Sequence, residues 1–188
     1  MNHKKIFYFI SLLLAITFFI VSEGWTQPQS KPEIKPPIII QSYVPEKGRY
    51  GDVLKFYIEA ESQNEDMYRI ATFVEQPGVG RYPTDFIMIK KPYRKHLKGY
   101  IQWNTFSSRG GSLPEWTQIT VKISVFDKAG NESKEVVFPF EFVSTAKQTT
   151  KPPAPFDQKD IPKLGNVMID LINPDRDGGR DRDNDLDK

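Results

Sequence analysis

The sequence predicts an all-β protein built as two antiparallel sheets of about seven strands packed face to face. Three observations carry that expectation. Between residues 38 and 143 apolar side chains recur at every second position, and β-branched and aromatic types are dense throughout. Clusters of Pro, Gly, Asn and Asp interrupt the alternation at short intervals, and no part of the stretch needs helical spacing. Its length of about a hundred residues suits one sandwich domain, too short for two cores and long enough for one.

The first strand is read at residues 38–44, stopped by Pro45 and Gly48. The second covers 53–60, where Leu54, Phe56, Ile58 and Ala60 face inward while Lys55, Tyr57 and Glu59 face outward. A polar loop over 61–66 leads to a third strand at 67–75, with Tyr68, Ile70, Thr72 and Val74 on one face, broken by Pro77, Gly78 and Gly80. Residues 86–90 and 97–106 form the fourth and fifth strands, the latter placing Leu97, Ile101 and Trp103 on one side. A glycine-containing loop over 109–114 precedes the final pair.

That pair is the clearest local signal, TQITVKISVFDKAGNESKEVVFPFEFV from Thr117 to Val143. Ile119, Val121, Ile123 and Val125 alternate with polar side chains, and the pattern restarts after DKAGNES, which marks a hairpin. Gly130 and Asn131 tolerate positive φ, and Asp127 is placed to hydrogen-bond the turn backbone. Pro139 offers no amide to a ladder, so the last strand must run along an edge or carry a bulge there. This strand, D-x-A-G-N turn and returning strand resemble the last hairpin of bacterial Ig-like domains. The resemblance implies an Ig-like sandwich and no particular chemistry. Antibody-type domains carry two cysteines, whereas this chain has none, so the likeness is to disulfide-free sandwiches such as fibronectin type III or bacterial Ig-like modules.

The amino-terminal end points to export. Lys4 and Lys5 precede an uncharged apolar run from Ile6 to Val21, followed by Ser22, Glu23 and Gly24, the layout of a signal peptide cut after Gly24. An uncleaved anchor is the alternative, although the run falls short of the roughly 20 apolar residues a spanning helix needs. The organisation expected is therefore a signal peptide at 1–24, a linker at 25–37, the sandwich at 38–144, a Pro-rich linker at 145–160, a short apolar docking segment at 161–172 and a flexible Asp/Arg-rich tail at 173–188. Without a cysteine, disulfides and lipid attachment at a lipobox cysteine are excluded, and stability must come from the core.

Removing residues 1–24 leaves 26 − 2 = 24 basic and 24 − 1 = 23 acidic side chains. So balanced a total implies no long-range attraction to nucleic acid or to an anionic membrane. A membrane contact enters only if the amino-terminal segment stays uncleaved. The run Lys90, Lys91, Arg94, Lys95 and Lys98 reads as a solvated sheet edge that blocks pairing with other chains, with an anion or polysaccharide site as the alternative.

Little in the chain suits catalysis. His96 is the one imidazole outside the signal segment, it sits among Arg94, Lys95 and Lys98, and no orienting carboxylate is adjacent to it in sequence. Ser107, Ser108 and Ser112 lack a nucleophile elbow. The expectation is a non-enzymatic, exported interaction or structural module of the envelope, periplasmic, surface-bound or secreted, whose partner is an envelope or extracellular protein. A carbohydrate-binding module is the alternative, with Tyr100, Trp103 and Trp116 as its sugar-stacking aromatics. If they share one flat exposed face that alternative gains support, and burial removes it.

Two features lie beyond the sandwich. Ile161, Leu164, Met168 and Leu171 recur at three, four and three, a narrow helical stripe proposed as the partner contact. Val167, Ile169 and Leu171 also alternate, so a strand returning to its own sandwich competes with that reading. In the tail, Asp175, Asp177, Asp181, Asp183 and Asp185 lie mostly two apart, as in calcium loops. The glycine and closing glutamate of such loops are missing and arginines interleave, so no cofactor is expected and weak calcium binding is the alternative. Export predicts a mature chain starting at Trp25; intact-mass measurement on protein from the envelope fraction checks this, and retention of residues 1–24 overturns it.

Overall fold

The computed structural model describes residues 35–107, 113–147 and 151–177. The expected signal peptide, most of the first linker and Asp181, Asp183 and Asp185 lie outside the described residues. Among the described residues ten strands assemble into two sheets. The first sheet has the order β1 (Ile38–Tyr43), β3 (Val53–Glu61), β7 (His96–Asn104) and β10 (Lys163–Val167). The second has β2 (Lys47–Gly48), β9 (Val136–Phe142), β8 (Gln118–Asp127) and β4 (Met67–Gln76), with β5 (Gly80–Arg81) and β6 (Asp85–Met88) both paired to β4.

The seven strands read from alternation all form, with ends shifted by one to a few residues. β3 shows why: Leu54, Phe56, Ile58 and Ala60 turn inward and are buried, while Lys55, Tyr57 and Glu59 stand on the outer face. Facing them across the core are Ile70, Val74, Val121, Ile123 and Val125, none with any exposed surface. Each such side chain contributes about 1.5–3 kcal/mol relative to exposure. Tyr68 departs from the expected inward row because the β4–β8 register shifts between Met67 and Arg69, which turns its ring outward. At the hairpin, the Asp127 carboxylate accepts the Asn131 backbone and side-chain amides at 2.8 and 2.7 Å. Among the described residues no strand pairs on the far side of Pro139: β2 covers β9 only from Glu141 onward, the Glu141 amide donating to the Glu46 carbonyl at 2.9 Å.

Neither sheet is purely antiparallel, contrary to expectation. β2 pairs parallel with β9, and β10 pairs parallel with β7. The second pairing changes the reading of the carboxy-terminal segments. Residues 151–162 pass over the outer face of the first sheet as a strap, with Phe156 buried against Tyr57 at 5.6 Å between ring centres. The Tyr100 amide then donates to the Pro162 carbonyl, and β10 begins. Two glycines make room for it. A Cβ on Gly99 would lie 2.6 Å from both Leu164 Cγ and the Pro162 oxygen, and one on Gly165 would lie 2.4 Å from Ile87 Cγ2.

Past β10 the chain runs between the two sheets' edges. Val167, Ile169 and Leu171 are buried while Met168 is 79% exposed, so strand alternation, not the helical stripe, governs the segment. Side chains hold its backbone. Trp103 Nε1 donates to the Ile169 carbonyl at 2.8 Å, the Met168 amide to Asp85 Oδ2 at 2.9 Å, the Ile172 amide to Tyr82 Oη at 2.9 Å, and Gln76 Nε2 to the Ile172 carbonyl at 2.9 Å. Tyr82 Oη in turn donates to Gln76 Oε1 at 2.6 Å.

In urea titrations Leu171→Ala is expected to cost about 2–5 kcal/mol, and Met168→Ala less than about 0.5; equal effects would restore the helical stripe. Burial pushes the Tyr82 phenol above the ordinary value of 10.0, and the bond from the Ile172 amide acts the other way. The folded state thus holds this proton more tightly than the unfolded chain, so its contribution is complete below about pH 10 and is lost as pH rises through the folded pKa. Stability should fall more shallowly above about pH 10 in Tyr82→Phe than in the parent; parallel curves would show that this phenol does not report on the fold.

Candidate functional site

The open side of the sandwich, opposite β10, places β1 and the start of β3 beside β2. A cleft of about 290 Å³ lies there, lined by Tyr43, Lys47, Asp52, Lys55, Tyr57 and Lys147 among others. Antiparallel register explains the grouping, since Tyr43 pairs with Tyr57 and Tyr57 with Tyr100 across β1, β3 and β7. Their rings follow at 6.2 and 5.8 Å between centres. Burial pushes the Tyr57 phenol upward, and the neighbouring Tyr100 and Tyr43 phenols add to that. Lys55 Nζ lies 4.7 Å above the Tyr100 ring.

Lys47 links this cleft to a displayed tryptophan. Its Nζ bonds Glu141 Oε2 at 2.7 Å and stands 6.0 Å from the Trp116 ring centre. The Lys47 hydrogen bond holds the Glu141 carboxyl below the usual carboxylate range, with slight burial opposing and Gln118 assisting. Trp116 is 60% exposed and has φ +68°, a left-handed conformation costly for any residue with a Cβ. The surrounding turn enforces it. The Trp116 amide donates to the Phe142 carbonyl at 3.0 Å, Thr117 Oγ1 to the Pro114 carbonyl at 2.7 Å, and the Ser144 amide to the Glu115 carboxylate at 2.9 Å.

The sequence-derived aromatics do not share one face. Trp103 is fully buried, Tyr100 is partly covered on the outer face of the first sheet, and Trp116 stands at the β2 side of the second. The flat sugar platform expected of the three is therefore not formed. The stripe Ile161, Leu164, Met168 and Leu171 is likewise divided: Leu171 is core, Leu164 packs over Gly99, Ile161 is half-buried and Met168 alone is exposed. His96 does meet a carboxylate that its sequence neighbours do not reveal. Its Nε2 lies 2.9 Å from Glu59 Oε1, because β3 brings Glu59 across to β7, while Lys98 approaches Glu59 Oε2 at 3.7 Å. The cluster is open to solvent and carries no nucleophile. Asp175 and Asp177 fall on α1 (Pro174–Asp177), and among the described residues no group of three His, Cys, Asp or Glu could hold a metal ion.

The strand order decides the fold: β1, β3 and β7 share one sheet while β4, β8 and β9 share the other, matching strands A, B, E and C, F, G of immunoglobulin-type sandwiches. The fold is an Ig-like β-sandwich. Solved structures of the same general kind include the PKD domain of an M14-like peptidase from a Thermoplasmatales archaeon, at 17% identity and TM-score 0.39, covering 58% of this chain and 98% of that one. Another is the CARDB domain of a Pyrococcus furiosus protein in complex with di-metal ions, at 8% identity and TM-score 0.32, covering 58% and 96%. No protein-family model matches the chain, and no curated protein matches it.

Proposed function

We propose that this chain is an exported, non-enzymatic interaction module of the cell envelope that contacts its partner through Trp116 and the adjoining cleft. The observation that carries the reading is the Trp116 turn. A large apolar ring is left 60% exposed on a backbone held at φ +68°, so folding gains little from the ring and gives up about 1–2 kcal/mol to the left-handed conformation. Such cost persists where a site requires it. Tryptophan is among the side chains that dominate binding energy in protein interfaces, and here its ring offers a broad contact area beside the Lys47 charge.

Hydroxyl-radical footprinting read by mass spectrometry tests this. Trp116 should oxidise readily in the purified protein and be protected in the envelope fraction of the producing cell, with Met168 oxidised in both. Equal oxidation of Trp116 in both preparations overturns the proposal. Protection that disappears after glycan digestion, and survives protease treatment, would move the function to the carbohydrate-binding alternative.

A further inference from the structure

We infer that the β1 side of the sandwich is a strand-addition site for an extended polypeptide whose carboxylates enter the lysine cleft. The inference rests on the interaction-module reading and names the partner's chemistry. Its first support is the edge. Among the described residues β1 pairs only with β3, so half of its backbone amides and carbonyls face away from the sheet. Natural edges are blunted by charge or proline within the strand, or by bulges that twist the edge away. β1 reads IIIQSY and has neither charge nor proline; its one such device is the bulge between Ile39 and Gln41, past which Gln41 to Tyr43 run in regular register.

The second support is charge. Lys47, Lys55 and Lys147 line the cleft into which the Tyr43 end of β1 opens. Lys47 is engaged by Glu141, whereas neither Lys55 nor Lys147 has a carboxylate partner among the described residues. Asp52, the acidic member of the lining, is bonded by Arg49 Nε at 3.3 Å. The lining thus carries three lysines against one carboxylate. Toward the other end of the strand, Ile38 and Ile40 are 52% and 47% exposed, an apolar surface suited to alternate side chains of an added strand. Six residues of β1 extend about 20 Å. The ligand that satisfies both ends is a chain with apolar residues along Ile38–Ile40 and acidic residues along Tyr43–Lys47. Backbone pairing supplies affinity and the lysines set direction. A uronic-acid glycan would meet the lysines but leave the edge unpaired.

Fluorescence anisotropy on the full chain tests the site with a labelled peptide of about ten residues, alternating valine and threonine followed by alternating glutamate and serine. Binding is expected, weakened by added salt, and weakened about tenfold or more in Lys55→Glu with Lys147→Glu. Lys128→Glu with Lys134→Glu, at the far hairpin, should leave it unchanged. N-methylating one alternate set of peptide amides should abolish binding and methylating the other set should not, the signature of an edge. Equal binding of a lysine-for-glutamate peptide, or of both methylated peptides, overturns the inference. So does binding of polygalacturonate without the peptide, or of neither. Loss of peptide binding while Trp116 remains protected in the envelope removes the strand-addition site and leaves the interaction module standing; loss of both removes both.

Discussion

The indole of Trp103 meets the carbonyl of Ile169 where a sandwich without cysteine would otherwise lie open. Trp103 points inward from the first sheet with no exposed surface, and packs its ring 6.3 Å from that of Phe56. A buried indole N–H left unpaired costs about 1–3 kcal/mol. No strand of the two main sheets supplies the missing acceptor; the carboxy-terminal segment does, and it reaches that depth only because Gly99 and Gly165 let it approach. Once Ile169 is seated, Leu171 falls into the core and Ile172 meets Tyr82 and Gln76. Closure thus depends on a buried donor finding its partner far along the chain.

The sandwich was legible because each strand carries its own record of which side faces inward. Phe56, Ile123 and Trp103 are placed by alternation alone, and Pro139 marks an edge by the amide it lacks. What stayed hidden depends on pairing between distant segments. β2 and β5 are two residues each, too short for any period to appear. β10 contains Gly165 and Asn166 in place of apolar side chains, and its fit is written in a partner glycine on β7. The alternation of Val167, Ile169 and Leu171 was visible, and the rival stripe through Met168 hid its meaning, since a short apolar run satisfies both periods.

The cleft was less legible still. Its residues come from the ends of β1 and β3, from β2 and from the segment after β9, and no motif joins them in sequence. Tyr57 and Lys55 could be placed on the outer face of β3, but their meeting with Tyr43 and Tyr100 required the register of three strands. Trp116 is a similar case. Its left-handed φ is imposed by bonds to the far end of β9 and to Ser144, which no local pattern around the residue encodes. The Glu59 and His96 pair escaped notice for the same reason.

The parallel seating of β10 on β7 also orders events during synthesis. Tyr100 and its partner Lys163 are separated by roughly sixty residues, so β1 to β9 are made, and can pair, before the piece that covers Trp103 exists. A nascent chain then carries a nearly complete sandwich whose indole and one sheet edge are bare, a state prone to sticking to its neighbours. Whatever machinery handles the chain before β10 emerges must shield that edge, and a chain cut short before Lys163 would display it permanently.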